Sequence, residues 1–162
     1  MTKEEQRLGP LRCCLRASKD RLCFAGRYLV LATALNLVWE MAQLPLYTIW
    51  AEAPWYRSLL AAAHCTVGDL IIAAAALGLA VALVGSDWPN ANYLKTATCT
   101  VVLGVAYTVF SEWLNLEVFG TWAYSALMPR LPRLGTGLAP VLQWLVVPTV
   151  SFVLLRRLPR RR

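Results

Sequence analysis

Glu40, His64, Asp69 and Glu112 lie inside stretches of chain otherwise made of Leu, Val, Ala and Ile, with Glu117 at the edge of one. An ionisable group at bilayer depth costs several kcal/mol, so it persists only with a partner or a use. The side-chain types admit three kinds of use: general acid–base catalysis by a carboxyl group and a partner, ligation of a divalent metal, and passage of protons or cations. Metal ligation calls on Glu40, His64, Asp69 and Glu112 together, although no i,i+3 or i,i+4 ligand pair is present. A serine triad is the weakest option, because His64 is the sole imidazole base and nothing in the sequence fixes its geometry against Ser111 or Ser151. A single histidine also excludes a bis-histidine haem within one chain.

Neighbouring polar residues extend each of these positions into a stripe. Asn36, Glu40, Gln43 and Tyr47 recur at i, i+4, i+7 and i+11, one continuous face of a helix. Cys65 and Asp69 share a face, whereas His64 is rotated about 140° from Asp69 and meets different neighbours. Thr108, Glu112 and Asn115 align on a third stretch, and Gln143 follows Pro140 on a fourth. Glu40 is about 18 Å and Glu112 about 20–25 Å from the basic flanks, while Gln143 and His64 are each about 10 Å from the opposite surface. Matched depth predicts one shared site, with Glu40, His64, Asp69 and Glu112 as catalytic groups. Asn36, Gln43, Tyr47, Asn115, Trp122, Tyr124 and Gln143 are the expected substrate contacts, and Arg130 and Arg133 are placed to hold a headgroup. Interhelical hydrogen bonding explains Asn and Gln well but explains Glu poorly.

Helices must position these groups. The 162 residues are 58% hydrophobic and 15% charged, against about 25% charged in an ordinary soluble domain. Four apolar runs, 28–47, 59–84, 96–118 and 137–155, each suffice for a hydrocarbon core of about 30 Å. The predicted class is an all-α, polytopic integral membrane protein: a four-helix transmembrane bundle. An interfacial segment between the third and fourth helices (119–136), broken by Gly and Pro, would lie across the outer mouth. The membrane domain spans 27–158, behind a basic leader (1–26) that forms an amphipathic surface helix or a disordered tail, and ahead of a basic tail (159–162). Pro45 is expected to bend the first span, and 85–90 reads as a turn.

The net charge of +7 is concentrated in seven cations before the first span and five after the last. That is positive-inside topology with both termini cytoplasmic, and it removes the need for a nucleic-acid partner. Trp50, Trp55, Trp113, Trp122 and Trp144 fall near one boundary and Trp88 near the other, as an aromatic belt would. Cys13, Cys14, Cys23, Cys65 and Cys99 show no disulfide pattern. A bacterial inner membrane is the expected location, with the bilayer, a lipid-soluble small molecule and a homo-oligomeric or complex partner as expected contacts. The function read from these features is acid–base or metal-assisted chemistry on a lipid-soluble substrate. The alternatives are a proton- or cation-coupled transporter or channel subunit, and a structural subunit of a membrane complex.

Overall fold

A computed structural model describes residues 3–85 and 88–158, with side chains from Ser18 onward. The side chains of residues 1–17, Cys13 and Cys14 among them, the turn residues Ser86 and Asp87, and the tail 159–162 lie outside the described residues. Among the described residues there is no strand, and four helices are long and apolar enough to cross a membrane. The chain is a multi-pass, all-α membrane bundle.

Helix α1 runs without interruption from Lys3 to Gln43, so the leader backbone continues into the first span. It stops where Pro45 removes a backbone donor, and the chain tightens into a 3-10 turn, Leu44–Leu46, closed by the Tyr47 N–H on the Leu44 carbonyl (3.0 Å). The expected bend is thus a helix end. A single turn, α2 (Ile49–Glu52), leads through Pro54 into α3 (Trp55–Val84). Gly85, at φ +110, ends α3 in a conformation open to glycine and strained for other residues. After the turn, α4 (Tyr93–Trp113) passes directly into a π-helical segment, Leu114–Phe119, ended by Gly120 at φ +57. The last span is α5 (Leu138–Arg157).

Helices α1 and α4 each pack on both α3 and α5, closing a four-helix ring. Small residues make close approach cheap: Ala62, Ala73, Ala76 and Ala80 form the buried stripe of α3. Gly104 of α4 receives the Trp144 ring of α5 so closely that a Cβ there would overlap it. At the end carrying the basic flanks, the interior is aromatic and apolar. Tyr28 stacks on Phe152 (4.6 Å between centroids), Phe24 meets Trp88 edge-on, and the Tyr93 hydroxyl donates to the Phe152 carbonyl (2.6 Å). Large apolar side chains such as Val30, Leu60, Leu83 and Val102 point outward, as lipid-facing residues do.

Segment 120–137 forms no helix. It is an ordered strap, and its hydrogen bonds reach two parts of the same bundle end. Thr48 N–H donates to the Ala123 carbonyl (3.0 Å) and Ser125 N–H to the Leu46 carbonyl (2.9 Å), tying the strap to the end of α1. Leu138 N–H, at the start of α5, donates to the Pro129 carbonyl (2.7 Å). Segment 120–137 is thus irregular chain with turns, pinned across this end because its Gly and Pro residues bar a helix while the α1 terminus offers free backbone groups.

The Gly104–Trp144 contact gives the first test. Gly104→Ala must displace a packed ring, and it should cost about 1–3 kcal/mol of overpacking, read as a lower thermal midpoint in detergent. Gly78→Ala, where an added Cβ meets nothing within 4 Å, should leave the midpoint unchanged or raised; equal losses at both positions would contradict the packing described.

Candidate functional site

Gln143, 2% exposed on α5, stands at the centre of the polar interior. Its Nε2 is within donating distance of Asn36 Oδ1 (3.1 Å), Glu40 Oε1 (3.1 Å) and Asp69 Oδ2 (2.8 Å). An amide nitrogen has two hydrogens, so three acceptors share two donors. Gln43 supplies a further donor: its Nε2 reaches Glu40 Oε1 at 2.9 Å and Gln143 Oε1 at 3.3 Å. One buried network thus joins α1, α3 and α5. The Glu40 and Asp69 carboxyls are brought together by their shared donor, Gln143 Nε2. Trp144 is alongside, within reach of the Asp69 carboxyl.

Glu112 belongs to a second polar group. The Tyr124 hydroxyl donates to Glu112 Oε2 and accepts from the Gly137 N–H (2.8 Å), so a buried carboxyl on α4 is bound to the strap and to the entrance of α5. Trp122 Nε1 is close to Glu112 but has no hydrogen-bond partner of its own. The Tyr124 phenol is held neutral above the ordinary tyrosine range, first by burial and then by its bond to Glu112. Tyr47 is shifted in the same direction, again first by burial and then by Glu112. Arg130 lies over the Tyr124 ring, 5.2 Å from its centroid.

Between the two groups is a cavity of about 610 Å³, within the range of small-molecule sites. Glu40, Asp69 and Gln143 form part of one wall; Glu112, Thr108 and Trp122 form another. Thr48, Ile49 and Glu52 from the α1–α3 connection line its end beside the strap. Three buried polar atoms on lining residues are unpartnered: Gln43 Oε1, Thr108 Oγ1 and Trp122 Nε1.

Asn36, Glu40, Gln43, Asp69 and Gln143 meet as their matched depth implied, with Asn36 behind the wall. Tyr47, Glu112 and Trp122 line the same cavity. His64 also borders the cavity, but its side chain is exposed, as its rotation away from Asp69 requires. Asn115 does not line the cavity. Its amide donates to the Ser111 carbonyl (2.8 Å) on its own helix, because the wider π turn beginning at Leu114 takes it out of register with Glu112. Arg130 and Arg133 are exposed and outside the cavity lining, with Arg133 in a left-handed turn conformation. Among the described residues no group of three or more His, Cys, Asp and Glu is arranged to hold a metal ion. The four proposed ligands split accordingly: Glu40 joins Asp69, Glu112 is bonded to Tyr124, and His64 is turned outward. Sequence reasoning aligned Thr108 with Glu112 without giving it a role, missed Glu52 and Trp144 as lining residues, and missed the bond between Tyr124 and Glu112.

Comparison with protein families, curated proteins and solved structures gives no match to this chain.

Tyr124→Phe should strand both the Glu112 carboxyl and the Gly137 N–H. The expected loss is about 1–3 kcal/mol in detergent unfolding, against no change for Tyr107→Phe, whose side chain is 49% exposed. The same variant should leave the phenolate absorbance unchanged through the ordinary tyrosine range near pH ~10, since Tyr124 stays neutral there; a missing tyrosine titration in that range would contradict its burial against Glu112.

Proposed function

We propose that this chain is a membrane-embedded enzyme carrying out acid–base chemistry on a lipid-soluble small molecule. The observation that carries the reading is the cavity lined by Glu40 and Asp69, which share the Gln143 amide, and by Glu112, whose carboxyl is held by Tyr124 from outside the lining. Two carboxyls gathered on one amide can share a proton and give it up, and a second, separately bound carboxyl can receive one. That is the equipment of general acid and general base flanking one substrate. Gln143 fixes the first pair and the strap fixes the second, so neither depends on a mobile loop. Apolar lining from Ile49, Ala61, Ala62 and Ile72 suits a substrate that arrives through the membrane.

The apolar core at the basic end favours an enzyme over a conduit. Tyr28, Leu77, Trp88, Phe152 and Leu155 fill the bundle below the polar network, where a channel would need polar groups. With the basic flanks read by the positive-inside rule, both termini lie in the cytoplasm of a bacterial inner membrane and the cavity opens towards the outer side. The acid excess also suits a cation-coupled transporter, and the test below separates the two.

The gene is deleted from its own host and restored as wild type, Glu40→Gln or Glu112→Gln, with membrane levels matched. Mass spectrometry of the lipid extract should show one species lost on deletion and restored by wild type. Each Gln variant should restore it at least about a hundredfold more slowly, the size of a general acid–base contribution. Full restoration by both variants, or an unaltered lipid extract together with proton-coupled flux in proteoliposomes, would overturn the enzyme reading.

A further inference from the structure

A second cavity, of about 470 Å³, lies at the end of the bundle that carries the basic flanks, and it shares no lining residue with the first. The start of α4 brings Asn92, Leu94 and Lys95 to it, the end of α5 brings Arg156, and Asn90 and Phe24 line it from the preceding turn and from α1. The described lining residues include two cations and no acid. Positive-inside topology accounts for cations on this side of the membrane, but not for their convergence from two helices on one cavity. Arg156 is held in place: its guanidinium lies over the Tyr93 ring, 5.9 Å from the centroid, and the Tyr93 hydroxyl is tied to the Phe152 carbonyl at 2.6 Å. The positive end of α4 adds to the field, because its first turn holds no acid and its N-cap, Asn92, makes no side-chain capping bond.

From this arrangement we infer that the cavity binds the headgroup phosphate of an anionic phospholipid, in the leaflet on the side of the basic flanks. A phosphodiester brings negative charge and acceptors only, which the Lys95 ammonium and the Arg156 guanidinium answer with charged donors. Both cations stand at the ends of their spans, Tyr93–Phe119 and Leu138–Arg157, where lipid headgroups lie. Leu94, 64% exposed, and Phe24 supply apolar surface for the start of the acyl chains, from which a soluble phosphate gains nothing. The Asn90 and Asn92 amides carry donors and acceptors, which suits a headgroup with hydroxyls. An ammonium headgroup finds no carboxylate among the described lining residues, so a zwitterionic lipid with the same chains binds less well. The site is separate from the acidic cavity and does not rest on the function proposed for it.

The test titrates the full chain in a neutral detergent with phosphatidylglycerol and with phosphatidylcholine of the same acyl chains, counting bound lipids by native mass spectrometry. The first phosphatidylglycerol should bind at least about tenfold tighter than the first phosphatidylcholine, and equimolar glycerol 1-phosphate should leave it bound. Lys95→Gln combined with Arg156→Gln should remove the preference. Lys19→Gln combined with Arg157→Gln takes the same charge from exposed positions outside the lining and should retain it. Arg157 shares the last turn of α5 with Arg156, so this second pair also controls for the charge at that helix end. The comparison of the two lipids on the wild-type chain needs no variant to fold. Equal binding of the two lipids, or release of phosphatidylglycerol by glycerol 1-phosphate, would overturn the inference. A preference that survives without Lys95 and Arg156, or is lost equally in both double variants, would overturn it too.

Discussion

A carboxyl group inside an apolar bundle must find donors, and the rest of this structure is arranged around that need. Water cannot supply them at bilayer depth, and no cation lies within the four apolar runs. The Gln143 amide meets the need for acids on two other helices, Glu40 and Asp69. Because those acceptors come from α1 and α3 while the donor sits on α5, the bond sets helix rotation and depth as well as charge. Close packing of small residues then follows: Gly104 admits the ring of Trp144, one residue beyond Gln143, and so allows α5 to approach α4.

The second acid is handled differently. Glu112 has no amide opposite it and takes its donor from Tyr124, a residue of the strap. The strap is in turn held by backbone bonds to the end of α1 and the start of α5. Closing this end of the bundle and neutralising Glu112 are therefore one structural event, and the cavity is the volume left between the two solutions. At the opposite end, Tyr28, Phe152 and Tyr93 pack as aromatic rings, and a separate cavity of about 470 Å³ there is lined by Asn90, Asn92, Lys95 and Arg156 and, among the described residues, by no acid.

Much of this was legible in the sequence because helical periodicity is rigid. Asn36, Glu40 and Gln43 share a face at any tilt, and a rise of about 1.5 Å per residue was enough to match their depth to Asp69 and Gln143. The same rule placed His64 away from Asp69, which is where the structure leaves it. Legibility ended where the helix period changed or the chain left the helix. The π turn after Trp113 carried Asn115 out of line with Glu112, and no residue type announced it. The strap places Tyr124 on Glu112 and keeps Arg130 and Arg133 outside the cavity lining through backbone bonds that no periodic pattern encodes. Grouping by depth also merged into one metal-like set acids that hydrogen bonding divides between two walls.

The central claim is that Gln143 holds the acids of neighbouring helices in one network, and a double-mutant cycle on Asp69 and Gln143 tests it most directly. Asp69→Ala, Gln143→Ala and the double variant are unfolded reversibly in mixed micelles alongside wild type. The structure predicts a coupling energy of about 1 kcal/mol or more, in the upper range for interhelical hydrogen bonds in membranes. Strict additivity, within about 0.3 kcal/mol, would contradict it, because two buried side chains joined at 2.8 Å cannot act independently.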